Sequence, residues 1–296
     1  MNRKFQTFIK MDQFDIICYH KNCPDGIGGL WAANYYKEIP KHYPLPAGEN
    51  PYLEEIENKK IIFVDVCPKP DFIIETIEKC SKMVILDHHK TSKEMLESII
   101  ERNYPNLEIV FDMGRSGAKI AWEYFFPNRP CPFFISYIED KDLWKWILPN
   151  SQEINFALQS YLNLKDLSSL LEDEELSFQN LLEEGIPLKK ENDEKIRDIS
   201  ETAVERYFFY RENEVHKVME VNLLGERSLT SDIGNYLCEK FPDIDFAIIK
   251  FRGPDYWSIS LRGIKGKCPD LCEIAKKYGG GGHPSASGIR FPDVKQ

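Results

Sequence analysis

Met83-Val84-Ile85-Leu86-Asp87-His88-His89 is an unbroken apolar run that ends in an acid and two imidazoles. Two other stretches are built the same way. Ile61-Ile62-Phe63-Val64 ends in Asp65, and Phe14-Asp15-Ile16-Ile17-Cys18-Tyr19 ends in His20. A polar, helix-like segment follows each. Short apolar runs of this length read as strands buried on both faces. Strands alternating with helices predict an α/β fold with a parallel sheet. Ligands bind such sheets beyond the carboxyl ends of the strands. His20, Asp65, Asp87, His88 and His89 are therefore expected along one edge.

Outward from this centre, Gly26, Gly28 and Gly29 read as a loop before a helix over Leu30 to Tyr36. Phe133-Phe134-Ile135-Ser136-Tyr137-Ile138, leading into Glu139-Asp140-Lys141-Asp142, reads as a further strand-end acid cluster. From about 151 to 213, leucines and acids dominate and glycine is nearly absent, which predicts helices. Strand-like runs return at Ala247 to Phe251 and Trp257 to Arg262, followed by a helix from about Pro269 to Lys277. The expected organisation is two α/β domains: 12–150, with the parallel sheet, and a smaller one at 214–296, joined by a helical region at 151–213.

The 296 residues are 42% hydrophobic and 29% charged, a globular composition that excludes a disordered chain, a collagen or a coiled coil. No apolar run approaches the roughly 20 residues needed to cross a bilayer. Met1 to Thr7 lack the apolar stretch of a signal peptide. A cytoplasmic location with no membrane partner is the default expectation. The net charge of −10 argues against tight binding of long nucleic acid, whose affinity comes mostly from phosphate contacts. It leaves room for a short phosphorylated substrate held by metal ions and a few basic side chains. The eight cysteines show no C-x-x-C pair, so neither a zinc site nor a disulfide framework is expected.

Of the six histidines, His20, His88, His89 and His283 lie at strand ends or in a glycine loop. Asp25, Asp65 and Asp140 would join them at the sheet edge. Gathering carboxylates without a cation is costly through like-charge repulsion, and one or two cations remove that cost.

These residues resemble, in order and through nearly the whole chain, the motifs of the Asp-His-His (DHH) phosphoesterase family with its associated C-terminal domain. The first is His20-Lys21-Asn22-Cys23-Pro24-Asp25-Gly26, the second Asp65-Val66-Cys67-Pro68 and the third Asp87-His88-His89. Tyr137 to Trp144 resembles the fourth. Ser260-Leu261-Arg262-Gly263 and Gly280-Gly281-Gly282-His283-Pro284 resemble the C-terminal domain. The likeness extends to oligoribonuclease (nanoRNase) and dinucleotide phosphodiesterase members.

The resemblance implies two Mn²⁺ ions, with Mg²⁺ or Co²⁺ as substitutes. One would be held by His20 and Asp65, the other by Asp25, Asp65, His88 and Asp140, with Asp65 bridging. Asp142 competes with Asp140, and Asp140 is favoured by the alignment. Asp87 would orient His88, and His89 would meet the substrate phosphate as a proton donor. Cys23 stands where the family usually has an acid, and is either a third ligand or a packing residue. Ser116 and Gly117 begin a helix whose amides face either phosphate or nothing in particular.

Four consecutive glycines, Gly279 to Gly282, suit backbone that approaches a ligand closely. With His283 and Arg262 they form the expected substrate grip, since guanidinium suits bidentate phosphate binding. Trp144, Trp146 and Trp257 are candidates for base stacking, with core packing the commoner fate. His42 and His216 carry no motif and are expected on the surface.

The expected activity is manganese-dependent hydrolysis of short oligoribonucleotides, or of linear or cyclic dinucleotides, to mononucleotides by water activated between two metals. A homodimer is compatible with this. The alternatives are a pyrophosphatase or polyphosphatase, and a non-catalytic nucleotide sensor.

Overall fold

The computed structural model describes residues 13–211, 214–225 and 227–292. Met1 to Thr7, and the outer domain limits at 12 and 296, lie outside them. The described residues fall into two compact units. One holds the chain up to His88 and Met95–Asn180; the other holds His89–Glu94 and the chain from Leu181 onward.

The first unit runs β1 (Ile16–His20), α1 (Pro24–Tyr36), β2 (Lys41–Leu45), β3 (Lys60–Val64), α2 (Pro70–Thr76) and β4 (Lys82–Asp87). It continues through α3 (Lys90–Ile100), β5 (Leu107–Phe111), α4 (Gly117–Phe125), α5 (Phe133–Asp142), α6 (Ser151–Leu158) and α7 (Leu164–Ser169). The first turn of α3 groups with the second unit. All five strands pair in parallel, in the order β2-β1-β3-β4-β5. The apolar runs are the central strands, as read. Phe63, Met83 and Ile85 pack with Ile73 of α2 and with Leu96 and Ile99 of α3. In the helical layer, Trp31 of α1 stacks on Trp122 of α4 at 5.9 Å, and its indole N–H donates to Ser168 Oγ at 3.0 Å.

Two local readings change. The glycines at 26, 28 and 29 lie inside α1, which starts at Pro24, a residue whose fixed φ suits the first helical position. A Cβ at Gly29 would stand 2.2 Å from Val64 Cγ1, so the glycine lets the helix lie directly on β3. Residues 133–142 form a helix, not a strand. Phe134, Ile135, Tyr137 and Ile138 are buried together, a helical spacing.

The helix α8 (Glu174–Glu201) runs from the first unit into the second. There follow β6 (Val204–Arg211), β7 (Glu214–Leu223), α9 (Thr230–Lys240), β8 (Phe246–Arg252), β9 (Tyr256–Arg262), α10 (Leu271–Lys276), β10 (Gly281–His283) and β11 (Ala286–Pro292). The six strands form a mixed sheet in the order β10-β11-β9-β8-β7-β6, with β7 and β8 parallel and the other neighbours antiparallel. Residues 204–211, expected to be helical, are its edge strand. Alternate residues of β8 face opposite layers: Phe246 and Ile248 pack with Leu271 and Ile274 of α10, while Ile249 lies against α9 at Gly234. His216, expected on the surface, is only 9% exposed, between Glu214 (3.1 Å) and Asp245 (3.4 Å). Its parity in β7 matches that of Val218, which is the signal that marks it as inward. Among the described residues, no helix is long and apolar enough to cross a membrane.

Candidate metal centre

The carboxyl ends of three adjacent parallel strands bring the motifs of the first unit together. His20 is the last residue of β1, Asp65 follows β3, and Asp87 closes β4 with His88 next. Asp65 takes φ +58°, the left-handed region that Asp tolerates better than most side chains. Its backbone N–H donates to Leu86 O at 2.9 Å, which ties this turn to the neighbouring strand. The Asp65 carboxylate reaches both histidines, with Oδ2 3.3 Å from His20 Nδ1 and Oδ1 3.2 Å from His88 Nε2. His88 Nε2 also lies 3.5 Å from Asp25 Oδ2.

Asp25 is buried in the first turn of α1. Its oxygens accept the N–H groups of Gly117 (2.5 Å) and Ala118 (2.8 Å), the first amides of α4. A helix N-terminus favours a negative charge, so α4 serves this aspartate. Ser116, expected at the substrate phosphate, sits at this helix start. Ser116 is fully buried; its Oγ accepts the Lys119 N–H at 3.3 Å and its own N–H donates to Glu139 Oε2 at 3.3 Å. It is the cap of the helix.

Asp140 does not join the cluster. It is buried, and its two oxygens accept the N–H groups of Ile147 (3.1 Å) and Leu148 (3.3 Å). Asp142 reaches the site instead, with Oδ2 3.5 Å from His88 Nε2. Two residues along a helix turn a side chain through about 200°, so the pair points to opposite sides of α5. The alignment of motifs carries no such phase. Asp25, His88 and Asp142 each offer a ligand atom, all within 4.8 Å of one another, and His20, Cys23 and Asp65 do the same.

The electrostatics fit a cation. One imidazole nitrogen, His88 Nε2, faces three carboxylates at 3.2–3.5 Å. A single N–H serves one of them. Burial, and then the charges of Asp65 and Asp142, push the Asp25 carboxyl well above the usual carboxylate range. Burial pulls the His88 imidazole down, but its hydrogen bond to Asp65 and the charges of Asp142, Asp65 and Asp25 outweigh this and leave it well raised. His20 is raised in the same way, with Asp65 again overcoming burial. Oxygen and imidazole donors crowded at a partly buried strand edge, with surplus negative charge, suit a divalent first-row ion. Asp87 touches His88 through the backbone: its Oδ1 accepts the His88 N–H at 2.7 Å.

The second unit holds the other motif residues. The His89 ring stacks on the His283 ring at 4.8 Å. Gly279, at φ +75°, turns the chain into β10, where Gly281 pairs with Gly288 of β11. A Cβ at Gly280 would lie 2.1 Å from Gly288 O, so the run is packed backbone rather than a linker. The guanidinium of Arg262 donates to Ser231 Oγ (3.0 Å), Leu261 O (2.9 Å) and Ser287 O (3.4 Å). Desolvation, partly offset by Asp232, lowers its pKa to about 10, which leaves it charged at neutral pH. Trp144 and Trp146, in the first unit, both have positive φ and meet edge to face at 5.0 Å.

The fold is shared with solved structures, and the clustered side chains are those of the motifs that resemble the DHH phosphoesterases. The chain is a homologue of "Oligoribonuclease NrnB" of Bacillus subtilis, 26% identical over 74% of the chain and 55% of that protein. An uncharacterized protein of Acanthamoeba polyphaga mimivirus, R106, is 28% identical over 98% of the chain and 70% of its own length. Among solved structures, the pGpG-specific phosphodiesterase PggH of Vibrio cholerae shares the fold with a TM-score of 0.51 at 12% identity, covering 95% of this chain and 94% of that one. RecJ of Thermus thermophilus, solved with Mn²⁺, does so with a TM-score of 0.51 at 13% identity, over 94% of this chain and 49% of RecJ. No family model matches the chain.

Proposed function

We propose that the protein is a Mn²⁺-dependent phosphodiesterase that hydrolyses short oligoribonucleotides or dinucleotides to mononucleotides. The observation that carries this is the cluster of His20, Asp25, Asp65, His88 and Asp142 at the strand ends. The names of the B. subtilis oligoribonuclease and the V. cholerae phosphodiesterase support the substrate class, and the Mn²⁺ in RecJ supports the metal. Two divalent cations held by these donors would draw a nucleophile from water at neutral pH and offset charge developing on the phosphoryl oxygens. Asp65 would serve both positions, since its two oxygens already face different histidines. The α4 amides hold Asp25 in its orientation, and Asp87 fixes the backbone of His88.

His89 would donate a proton to the leaving oxygen. Arg262, with its guanidinium set by Ser231 and two carbonyls, would grip a substrate phosphate together with Gly280, Gly281, Gly282 and His283. The net charge of −10 limits this grip to short substrates. A cytoplasmic location completes the reading, supported by eight cysteines that form no disulfide.

The test is product analysis with Mn²⁺ on a 5′-labelled dinucleotide, a five-mer, a cyclic dinucleotide and pyrophosphate. Mononucleotides from the dinucleotide and five-mer, with pyrophosphate intact, are expected. Cleavage of pyrophosphate alone would replace this reading with a phosphoanhydride hydrolase.

A further inference from the structure

Cys23 occupies the N-cap of α1, where Ser, Thr, Asp and Asn are preferred because their side chains accept an amide of the first turn. The Cys23 sulfur meets only the Gly26 N–H of that turn, as a weak acceptor. Cys23 is not a core residue. Cys18, Cys67 and Cys80 are buried in the apolar cluster beneath the sheet, whereas Cys23 is half-buried at its rim. Its sulfur instead keeps company with polar atoms: Cys23, His20 and Asp65 each present a ligand atom within one 4.8 Å group. A weak sulfur cap does not by itself account for a cysteine that faces His20 and Asp65, and a cation does.

The donors around the centre are sorted by chemistry. On one side of Asp65 stand an imidazole and a sulfur, from His20 and Cys23. On the other stand two carboxylates and an imidazole, from Asp25, Asp142 and His88. Thiolate selects softer cations, and carboxylate suits Mn²⁺ and Mg²⁺.

We propose that Cys23 is a metal ligand, and that with His20 and Asp65 it forms the softer half of an asymmetric two-cation centre. That half takes Co²⁺, Fe²⁺ or Zn²⁺ in preference to Mn²⁺, while the Asp25–Asp65–His88–Asp142 half takes Mn²⁺. On binding, a sulfur–metal bond replaces the S–H bond and the proton leaves to solvent; no electron is transferred. The inference rests on the two-cation reading above but names a metal preference that the reading does not contain.

The experiment uses the full chain, stripped of metal by a chelator and titrated with Co²⁺. A near-ultraviolet sulfur-to-cobalt charge-transfer band is expected, and its loss in Cys23→Ser and Cys23→Asp. Both variants should still bind cobalt at the carboxylate half, with circular dichroism unchanged. When Co²⁺ and Mn²⁺ are offered together, metal analysis of Cys23→Asp should show a larger manganese share than the unaltered chain.

Cobalt bound without the band overturns the proposal. So does a band that survives in Cys23→Ser, which would assign it to another thiol such as Cys272, beside Asp270 and Glu273. Failure to bind any cation overturns both this proposal and the metal-dependent function. Dinucleotide hydrolysis with Mn²⁺ but no cobalt–sulfur band overturns this proposal alone.

Discussion

Asp140 and Asp142 show how a two-residue difference separates a carboxylate bound to backbone amides from one that faces His88. Removing Asp140 leaves the N–H groups of Ile147 and Leu148 without their acceptor. Asp140→Ala is therefore expected to lose about 1–3 kcal/mol of stability, read by urea unfolding, while keeping its bound metal. Asp142→Ala should fold normally and bind less metal. Metal loss in the first variant with none in the second would reverse the assignment. The neighbouring histidines divide in a similar way. His88 faces three carboxylates, whereas His89 stacks on His283. His88→Ala should lose metal. His89→Ala should keep metal and lose about 10²- to 10⁴-fold in rate, the usual worth of a general acid. Metal analysis beside turnover separates the two, and equal metal loss in both would sink the division.

At the scale of elements, the junction of α4 with the sheet edge carries the site. A Cβ on Gly117 would stand 2.5 Å from Asp65 Cβ and 3.0 Å from Asp25 Oδ2. Gly117→Ala would have to push the start of α4 away from both aspartates. Overpacking of this kind costs about 1–3 kcal/mol. Here it should also weaken metal binding, because the amides of residues 117 and 118 hold Asp25. Calorimetric metal titration together with thermal unfolding tests this. A variant that is destabilised yet binds metal unchanged would show that the helix start does not orient Asp25.

For the whole molecule, the two units carry different chemistry. His20, Asp25, Asp65, His88 and Asp142 belong to the parallel-sheet unit, while Arg262 and the glycine run belong to the mixed-sheet unit. Arg262→Ala should raise KM and leave metal content untouched. Losing a hydrogen bond to a charged group costs about 1.5–3 kcal/mol, and at about 1.4 kcal/mol per decade this is roughly 10- to 100-fold. Steady-state kinetics on a dinucleotide, with metal analysis, measures it. Unchanged KM with a fall in kcat would give Arg262 a role in the reaction step rather than in substrate capture.

The parallel sheet, and the edge where the motif residues gather, were legible in the chain itself. Buried parallel strands are continuous apolar runs, and their last residues are where side chains leave the core, so His20, Asp65 and His88 could be placed by position alone. The glycine run was read as backbone that approaches a ligand closely; in the structure it pairs with β11. Helix phase was not legible. Whether residue 140 or 142 faces His88 depends on where α5 starts and how it docks, and a run of aromatics reads equally as strand. The edge strand 204–211 was missed for another reason: it follows directly on a long helical stretch, and most of its residues are exposed, so the aromatic run Tyr207 to Tyr210 did not stand out as a buried strand. The role of the α4 amides was out of reach as well, because Asp25 and Gly117 are 92 residues apart. Local pattern determines which residues can be buried and which segments can be regular. Only the packed structure decides which amide meets which carboxylate, because that depends on two elements approaching each other through space.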